Sequence, residues 1–337
     1  AILKHFGGDD TMGVIGKGER STICKEGCAM TSLAMALSAK GFILPDGSVP
    51  NPKNFNDYLV RNNGYHCDNG DCNNLVLSKT DDLTNGRFQI IGEWGASSGK
   101  PSKETMRELS NFTSSNIVFL AHVRNSSHFV LIVGPSSIDE DSFDVFDPYF
   151  KQSTYSYDDM SDVIIYSVIP FEAKIPKAYR LFKQYDYRWK QDLIVTETIG
   201  AVGCLMSSTS MALNGHGIDV NPKTLNQWLQ KNDGYTKQND MKESVVPNIA
   251  PNLVFWNESR GMHTSPDIPL DSIIGSLNRG EPVIANVLKG RHFVLVVGAR
   301  VLNNKTTLYV NDPGFYRNTY DFEEDVVGWR LFNMTNN

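Results

Sequence analysis

Gly27-Cys28-Ala29-Met30-Thr31-Ser32-Leu33-Ala34-Met35-Ala36-Leu37 and Gly203-Cys204-Leu205-Met206-Ser207-Ser208-Thr209-Ser210-Met211-Ala212-Leu213 are two versions of one segment. Each places Gly before Cys and then repeats residues at helical spacing: Met30, Leu33, Ala34 and Leu37 in the first, Met206, Thr209, Ser210 and Leu213 in the second. The pattern predicts a helix that opens at the Cys and stops at Gly41 in one copy and at Gly215 to Gly217 in the other.

The correspondence extends outward. Asn51-Pro52-Lys53 and Asn221-Pro222-Lys223 each open a further apolar-periodic segment, with Pro at the predicted helix start, and the segments end in Gly64-Tyr65 and Gly234-Tyr235. Later, 117–123 and 282–288 read as strands leading through short turns into His128-Phe129-Val130-Leu131-Ile132-Val133-Gly134 and His292-Phe293-Val294-Leu295-Val296-Val297-Gly298. The next strands end at Asp147-Pro148 and Asp312-Pro313, because Pro cannot donate to a ladder. The order Cys, His, Asp therefore occurs twice. A chain of 337 residues has room for about two domains, and the repeat predicts a tandem duplication of residues 1–172 and 177–337 across the polar stretch Glu172 to Lys177. The predicted class is α+β: two domains, each with an N-terminal helical part carrying Cys and an antiparallel sheet carrying His and Asp.

Composition narrows the function. With 40% hydrophobic and 21% charged residues, each half can bury its own core. Net charge is -6 and the basic residues are scattered, so nucleic acid is not an expected partner. No apolar run approaches the roughly 20 residues of a membrane-spanning helix. The sequence starts at Ala1 rather than Met, which predicts a processed or trimmed N-terminus. The acidic clusters Asp139-Glu140-Asp141 and Glu323-Glu324-Asp325 lack calcium-loop spacing and are expected to be solvated loops; no cofactor or metal is called for.

Five cysteines leave at least one thiol over in an oxidising compartment. Cys67 and Cys72 flank the turn-rich Asp68-Asn69-Gly70-Asp71 and are the preferred disulfide pair; a Cys24–Cys28 bridge, which would switch off the first site, and pairing of Cys24 with Cys67 or Cys72 are alternatives. Within-domain pairing leaves Cys204 free. Sequons at Asn111, Asn125, Asn257, Asn304 and Asn333, with the clustered cysteines, point to a secreted or extracellular glycoprotein. A glycan on Asn125 would crowd His128.

A Cys in the first turn of a helix has its thiolate favoured by the helix dipole, and a nearby imidazolium favours it further. A His at the start of a strand and an Asp at the end of the adjacent one supply the base and its orienting group. The backbone amide of the Cys can contribute to an oxyanion hole. Taken singly, a helical Cys, a strand His and an Asp-Pro turn have ordinary structural readings; their ordered recurrence in both copies points to a cysteine hydrolase.

The second copy, from Lys183-Gln184-Tyr185-Asp186-Tyr187-Arg188-Trp189 through Gly203-Cys204, the Asn-Pro-Lys helix, Gly234-Tyr235, His292-Phe293-Val294 and Asn311-Asp312-Pro313, resembles the papain-like peptidases related to the bacteriocin-processing, double-glycine leader peptidases. The first copy follows from Cys24 on. The resemblance implies a triad of Cys204, His292 and Asp312, with Gln184 in the oxyanion hole across an intervening loop, and a first-copy triad of Cys28, His128 and Asp147. There, Lys4-His5-Phe6-Gly7 stands in place of Lys183-Gln184-Tyr185-Asp186, so His5 replaces the Gln and the Trp is missing. Both copies also lack the Gly-Pro that often follows the Cys, having Ala29-Met30 and Leu205-Met206. The family's handling of substrate next to the nucleophile is therefore not carried over. These 337 residues show no counterpart of the transporter fused to the bacteriocin-processing members, so cleavage during export is not expected from the resemblance.

The sequence thus predicts a cysteine peptidase acting on peptide or related amide bonds, with the second site the better preserved. Its expected partner is a peptide or protein substrate. The rival readings are a non-catalytic assembly protein, whose partners would be copies of itself, and a cell-wall amidase.

Overall fold

The computed structural model describes residues 22–68, 71–94 and 100–336. The chain divides into two compact units at Val168/Ile169, each a mixed α+β unit with a six-stranded antiparallel sheet.

In the first unit, α1 (Cys28–Ala39) and α2 (Pro52–Arg61) precede the hairpin of β1 (Tyr65–Asp68) and β2 (Asp71–Leu75). The sheet comprises β3 (Phe88–Trp94), β4 (Ile117–Val123), β5 (His128–Pro135), β6 (Ser142–Phe146), β7 (Thr154–Ser156) and β8 (Asp162–Val168), in the order β3-β8-β4-β5-β6-β7. The second unit has α3 (Cys204–Gly215) and α4 (Pro222–Lys231), then β9 (Met262–His263), β10 (Val283–Val287), β11 (His292–Leu302), β12 (Lys305–Asn311), β13 (Thr319–Asp321) and β14 (Gly328–Leu331), in the order β9-β14-β10-β11-β12-β13.

Local chemistry explains the helices. Asn51 and Asn221 cap α2 and α4 in capping boxes completed by Asn54 and Thr224, with Pro in the first turn, where its missing N–H leaves no helical bond unmade. α1 is buried nearly all round, from Met30 to Leu37, and packs with Phe55, Leu59, Leu120, Leu131 and Tyr166 in one core. α3 is just as buried but more polar, with Ser207, Ser208, Thr209 and Ser210 fully enclosed. Thr209 and Ser210 return their hydroxyls to the carbonyls of Leu205 and Ser207, so the helix satisfies two of these four hydroxyls itself. Ile169 and Ala173 already pack into the second unit's core.

Matching register places the functional strands. Val123 pairs with His128 and Val287 with His292, and both His strands carry a bulge at the same distance from the His, at Ile132/Gly134 and Val296/Gly298. The turns before them use three successive left-handed residues, Arg124-Asn125-Ser126 and Leu288-Lys289-Gly290. That conformation is costly for Arg124, Ser126, Leu288 and Lys289, less so for Asn125 and not for Gly290, so the surrounding sheet dictates the turn.

Candidate active site

Cys204 opens α3 directly after the helical turn Ile199–Val202, and the Gly203 between them has no room for a side chain. A Cβ there would lie 2.5 Å from the Ile199 carbonyl oxygen, and one on Gly27 would lie 2.4 Å from that of Ile23. One turn into each helix a Ser fastens it to the His strand. Ser208 Oγ donates to the Phe293 carbonyl at 3.2 Å and Ser32 Oγ to the Phe129 carbonyl at 3.3 Å, which sets Cys204 and Cys28 against the neighbouring His.

The buried His292 places Nε2 2.7 Å from Asp312 Oδ1 and also hydrogen-bonds the Cys204 side chain. With Nε2 engaged by the carboxylate, Nδ1 is left for the sulfur. Asp312 Oδ1 further accepts the amides of Gly314 and Phe315, and Oδ2 accepts the Tyr320 hydroxyl at 2.7 Å. Burial opposes the charge on His292, yet its bonds to Asp312 and Cys204 win and push its pKa up to about 9. Burial likewise works against the Asp312 carboxylate, but His292, Lys183 and Tyr320 hold it below its ordinary range. Phe315 meets the imidazole edge-on at a centroid distance of 4.9 Å.

The first unit repeats these contacts. His128 Nε2 lies 2.8 Å from Asp147 Oδ1, Asp147 accepts the amides of Tyr149 and Phe150 and the hydroxyl of Tyr155, and Phe150 meets His128 edge-on. Burial again opposes a charge on His128, while Asp147 and Cys28 push its pKa up to about 9.

Gln184 reaches the second site because the loop after it folds back against the start of α3. Its Nε2 donates to the Gly200 carbonyl at 2.8 Å, four residues before Cys204, and its Oε1 is buried with no partner among the described residues. One amide hydrogen remains on Nε2 for an oxyanion. The backbone amide of Gln184 donates to Pro313 O, and Lys183 Nζ donates to the carbonyls of Asp312 and Phe315. Gln184 and Asp312 are thereby stitched to one turn. That turn requires glycine at 314, where a Cβ would lie 2.7 Å from His292 Cε1. His5, the corresponding residue of the first copy, lies outside the described residues.

A cleft of about 720 Å³ opens over this site. Gln184, Cys204, His292 and Gly314 line it beside Met206, Tyr235, Met241, Glu243, Phe293 and Arg330. Its rim is tied down by Asn239, whose Oδ1 accepts three successive amides, those of Val195, Thr196 and Glu197, while its Nδ2 donates to Thr196 Oγ1. Residues 176–335 match the Peptidase_C39 like family. The match covers nearly the whole second unit and relates it to the C39-type cysteine peptidases. No curated protein and no solved structure matches the chain.

Within the C39-related unit, Cys204, His292, Asp312 and Gln184 come together, as do Cys28, His128 and Asp147 in the first unit. Cys67 and Cys72 form a disulfide that closes the β1–β2 hairpin; Cys24 is in no disulfide, and Cys28 and Cys204 carry free thiols. Asn111, Asn125, Asn257, Asn304 and Asn333 are all exposed. The first acidic cluster lies in an exposed loop, where Asp141 pairs with Lys103. The second corrects the expectation of a loop: 323–325 belong to a helical turn, Phe322–Asp325, because Asp321 caps it by accepting the amides of Glu323 and Glu324. No group of three or more metal-ligating side chains occurs among the described residues, nor any helix long and apolar enough to cross a membrane.

Sequence reading missed the residues that hold the His–Asp pairs and the Cys helices. Tyr155 and Tyr320 each follow their Asp by eight residues, a repeated spacing that was open to view. Ser32 and Ser208 were visible only as members of the repeated helix. Lys183 gave no signal of its own.

Proposed function

We propose that the second unit is a papain-like cysteine peptidase whose triad is Cys204, His292 and Asp312, and that the chain arose by tandem duplication of such a domain, at 1–172 and 177–337. The observation that carries the reading is His292 hydrogen-bonded to both Cys204 and Asp312 beneath an open cleft. At neutral pH an imidazolium with its pKa near 9 holds the proton, and the sulfur, in the first turn of α3, gains from the helix dipole. The thiolate attacks the substrate carbonyl; the oxyanion receives the free amide hydrogen of Gln184 and the backbone amide of Cys204. His292 then protonates the leaving amine, and as a neutral base it takes a proton from the water that releases the acyl enzyme. Asp312, locked by two amides and Tyr320, keeps the ring in one orientation throughout.

The first unit carries the same three groups at Cys28, His128 and Asp147, and we assign it the same ancestry with the lesser activity, since His5 stands where Gln184 does in the second. Five exposed sequons and the Cys67–Cys72 disulfide support a secreted glycoprotein. The substrate class is peptides or proteins. Alkylation of Cys204 by iodoacetamide, followed by peptide mapping, tests the reading: Cys204 should react much faster than in the His292→Ala chain. Equal rates in the two proteins would remove the ion-pair nucleophile and the mechanism with it.

A further inference from the structure

Beside the catalytic groups, the cleft of the second unit contains an ion pair that the reaction does not use. Glu243, at the start of the 3-10 helix Glu243–Ile249, and Arg330 on β14 both line the cleft while being largely buried. Arg330 Nε lies 2.5 Å from Glu243 Oε1, and Nη1 donates to the carbonyls of Trp329 and His263. The guanidinium lies over the ring of Phe293, 5.1 Å from its centroid. Among the described residues Glu243 Oε2 and Arg330 Nη2 have no hydrogen-bond partner, and neither is a sealed-off atom. The pair therefore keeps one acceptor oxygen and one donor NH2 for another group.

The first unit shows what the fold itself requires at these places. Arg330 pairs with Ile284, which pairs with Leu295, three residues after His292; the same steps from His128 lead through Leu131 and Leu120 to Ile164. Glu243 follows Lys242, whose amide donates to Gly234 O, and Leu77 follows Val76, whose amide donates to Gly64 O. Leu77 and Ile164 both pack into the apolar core of their unit. An apolar couple thus satisfies the architecture. A buried ion pair is seldom more stabilising than such a couple, so its place in the cleft wall calls for a reason other than folding.

We propose that Glu243 and Arg330 form a subsite selecting a substrate residue with a carboxamide side chain, Gln or Asn. A carboxamide offers one carbonyl oxygen and one NH2, the complement of Nη2 and Oε2. An apolar side chain of the same size would strip water from Glu243 Oε2 and Arg330 Nη2 and leave those two polar atoms without a hydrogen bond, the situation in which sites reject an analogue most strongly. The inference rests on the peptidase reading of the same cleft.

The test uses the full chain with Cys28→Ala, so that only the second unit turns over substrate. Peptides carrying Gln or its near-isostere Met, and Asn or Leu, at each of four residues on either side of the scissile bond are compared by kcat/KM. At one position Gln or Asn should win by at least about tenfold, and Glu243→Leu/Arg330→Ile, the first unit's couple, should abolish or invert that preference. Glu243→Gln, which keeps the shape, should weaken it. An unchanged preference in these variants, or no carboxamide preference at any position, overturns the subsite. If no peptide is cleaved, the peptidase reading fails separately, and calorimetric binding to the Cys204→Ala chain decides the subsite: a Gln over Met preference supports it, equal affinities overturn it.

Discussion

The two units hold their His–Asp pairs at 2.8 Å and 2.7 Å, brace each Asp with the same two amides and one Tyr, and fasten each Cys helix to the His strand through the same Ser. They differ around that frame. In sequence the first unit has His5 where the second has Gln184; among the described residues the second has a charged couple in its cleft wall, whereas the first has apolar residues at the equivalent positions and a disulfide-closed hairpin. The bracing of the His–Asp pairs is local to the strand ends, whereas Gln184 reaches its place through a loop and the charged couple depends on a 3-10 helix packing against a strand.

The largest expected break in this comparison is at the two cysteines that open the helices. Cys204→Ala should lower peptide hydrolysis by at least about a thousandfold, while Cys28→Ala leaves most of it; the reverse result in a fluorogenic peptide assay would transfer the activity to the first unit. Gly314→Ala should cost about a hundredfold in kcat, because the added methyl meets the imidazole at 2.7 Å and displaces it. That loss would vanish if the turn did not support His292.

The pH profile sharpens the comparison further. Raising the pH through about 9 removes the imidazolium proton, so kcat/KM should fall there on the alkaline side. Asp312→Asn should move that limb toward the ordinary His value of 6.5 and lower the rate; a limb that stays near 9 would show that Asp312 does not set it. Stability follows the same sign. The His292 contribution is complete below about pH 6.5 and is lost as the pH climbs through about 9, and the Asp312 contribution is lost as the pH falls below the ordinary carboxylate value of 3.8. The smallest effect on activity belongs to the hairpin: Cys67→Ser/Cys72→Ser should destabilise the first unit by about 2 kcal/mol in a calorimetric melt and leave hydrolysis by the second unchanged.

Much of the frame was legible in the sequence because its signals are short-range and doubled. Cys at a helix start, His opening an apolar strand and Asp before Pro each mark the end of an element, so knowing the elements locates the side chains. Gln184 was harder, since its approach to Gly200 depends on how the loop between them folds. Glu243 and Arg330 gave no signal at all, being 87 residues apart and joined only by the packing of a 3-10 helix against a sheet. The helical turn at Phe322–Asp325 was hidden by its acidity, which reads as a loop until Asp321 is seen capping it.

Asn239 carries a consequence for stabilising the molecule. Three consecutive amides converging on one oxygen make a cradle whose natural guest is an anion, and here it holds a neutral carboxamide. Exchanging that amide nitrogen for oxygen, as Asn239→Asp, would make all three bonds charge-assisted and let Thr196 donate in place of accepting. The rim of the cleft could thus be stiffened without changing its shape, which makes it a handle for hardening the protein against heat.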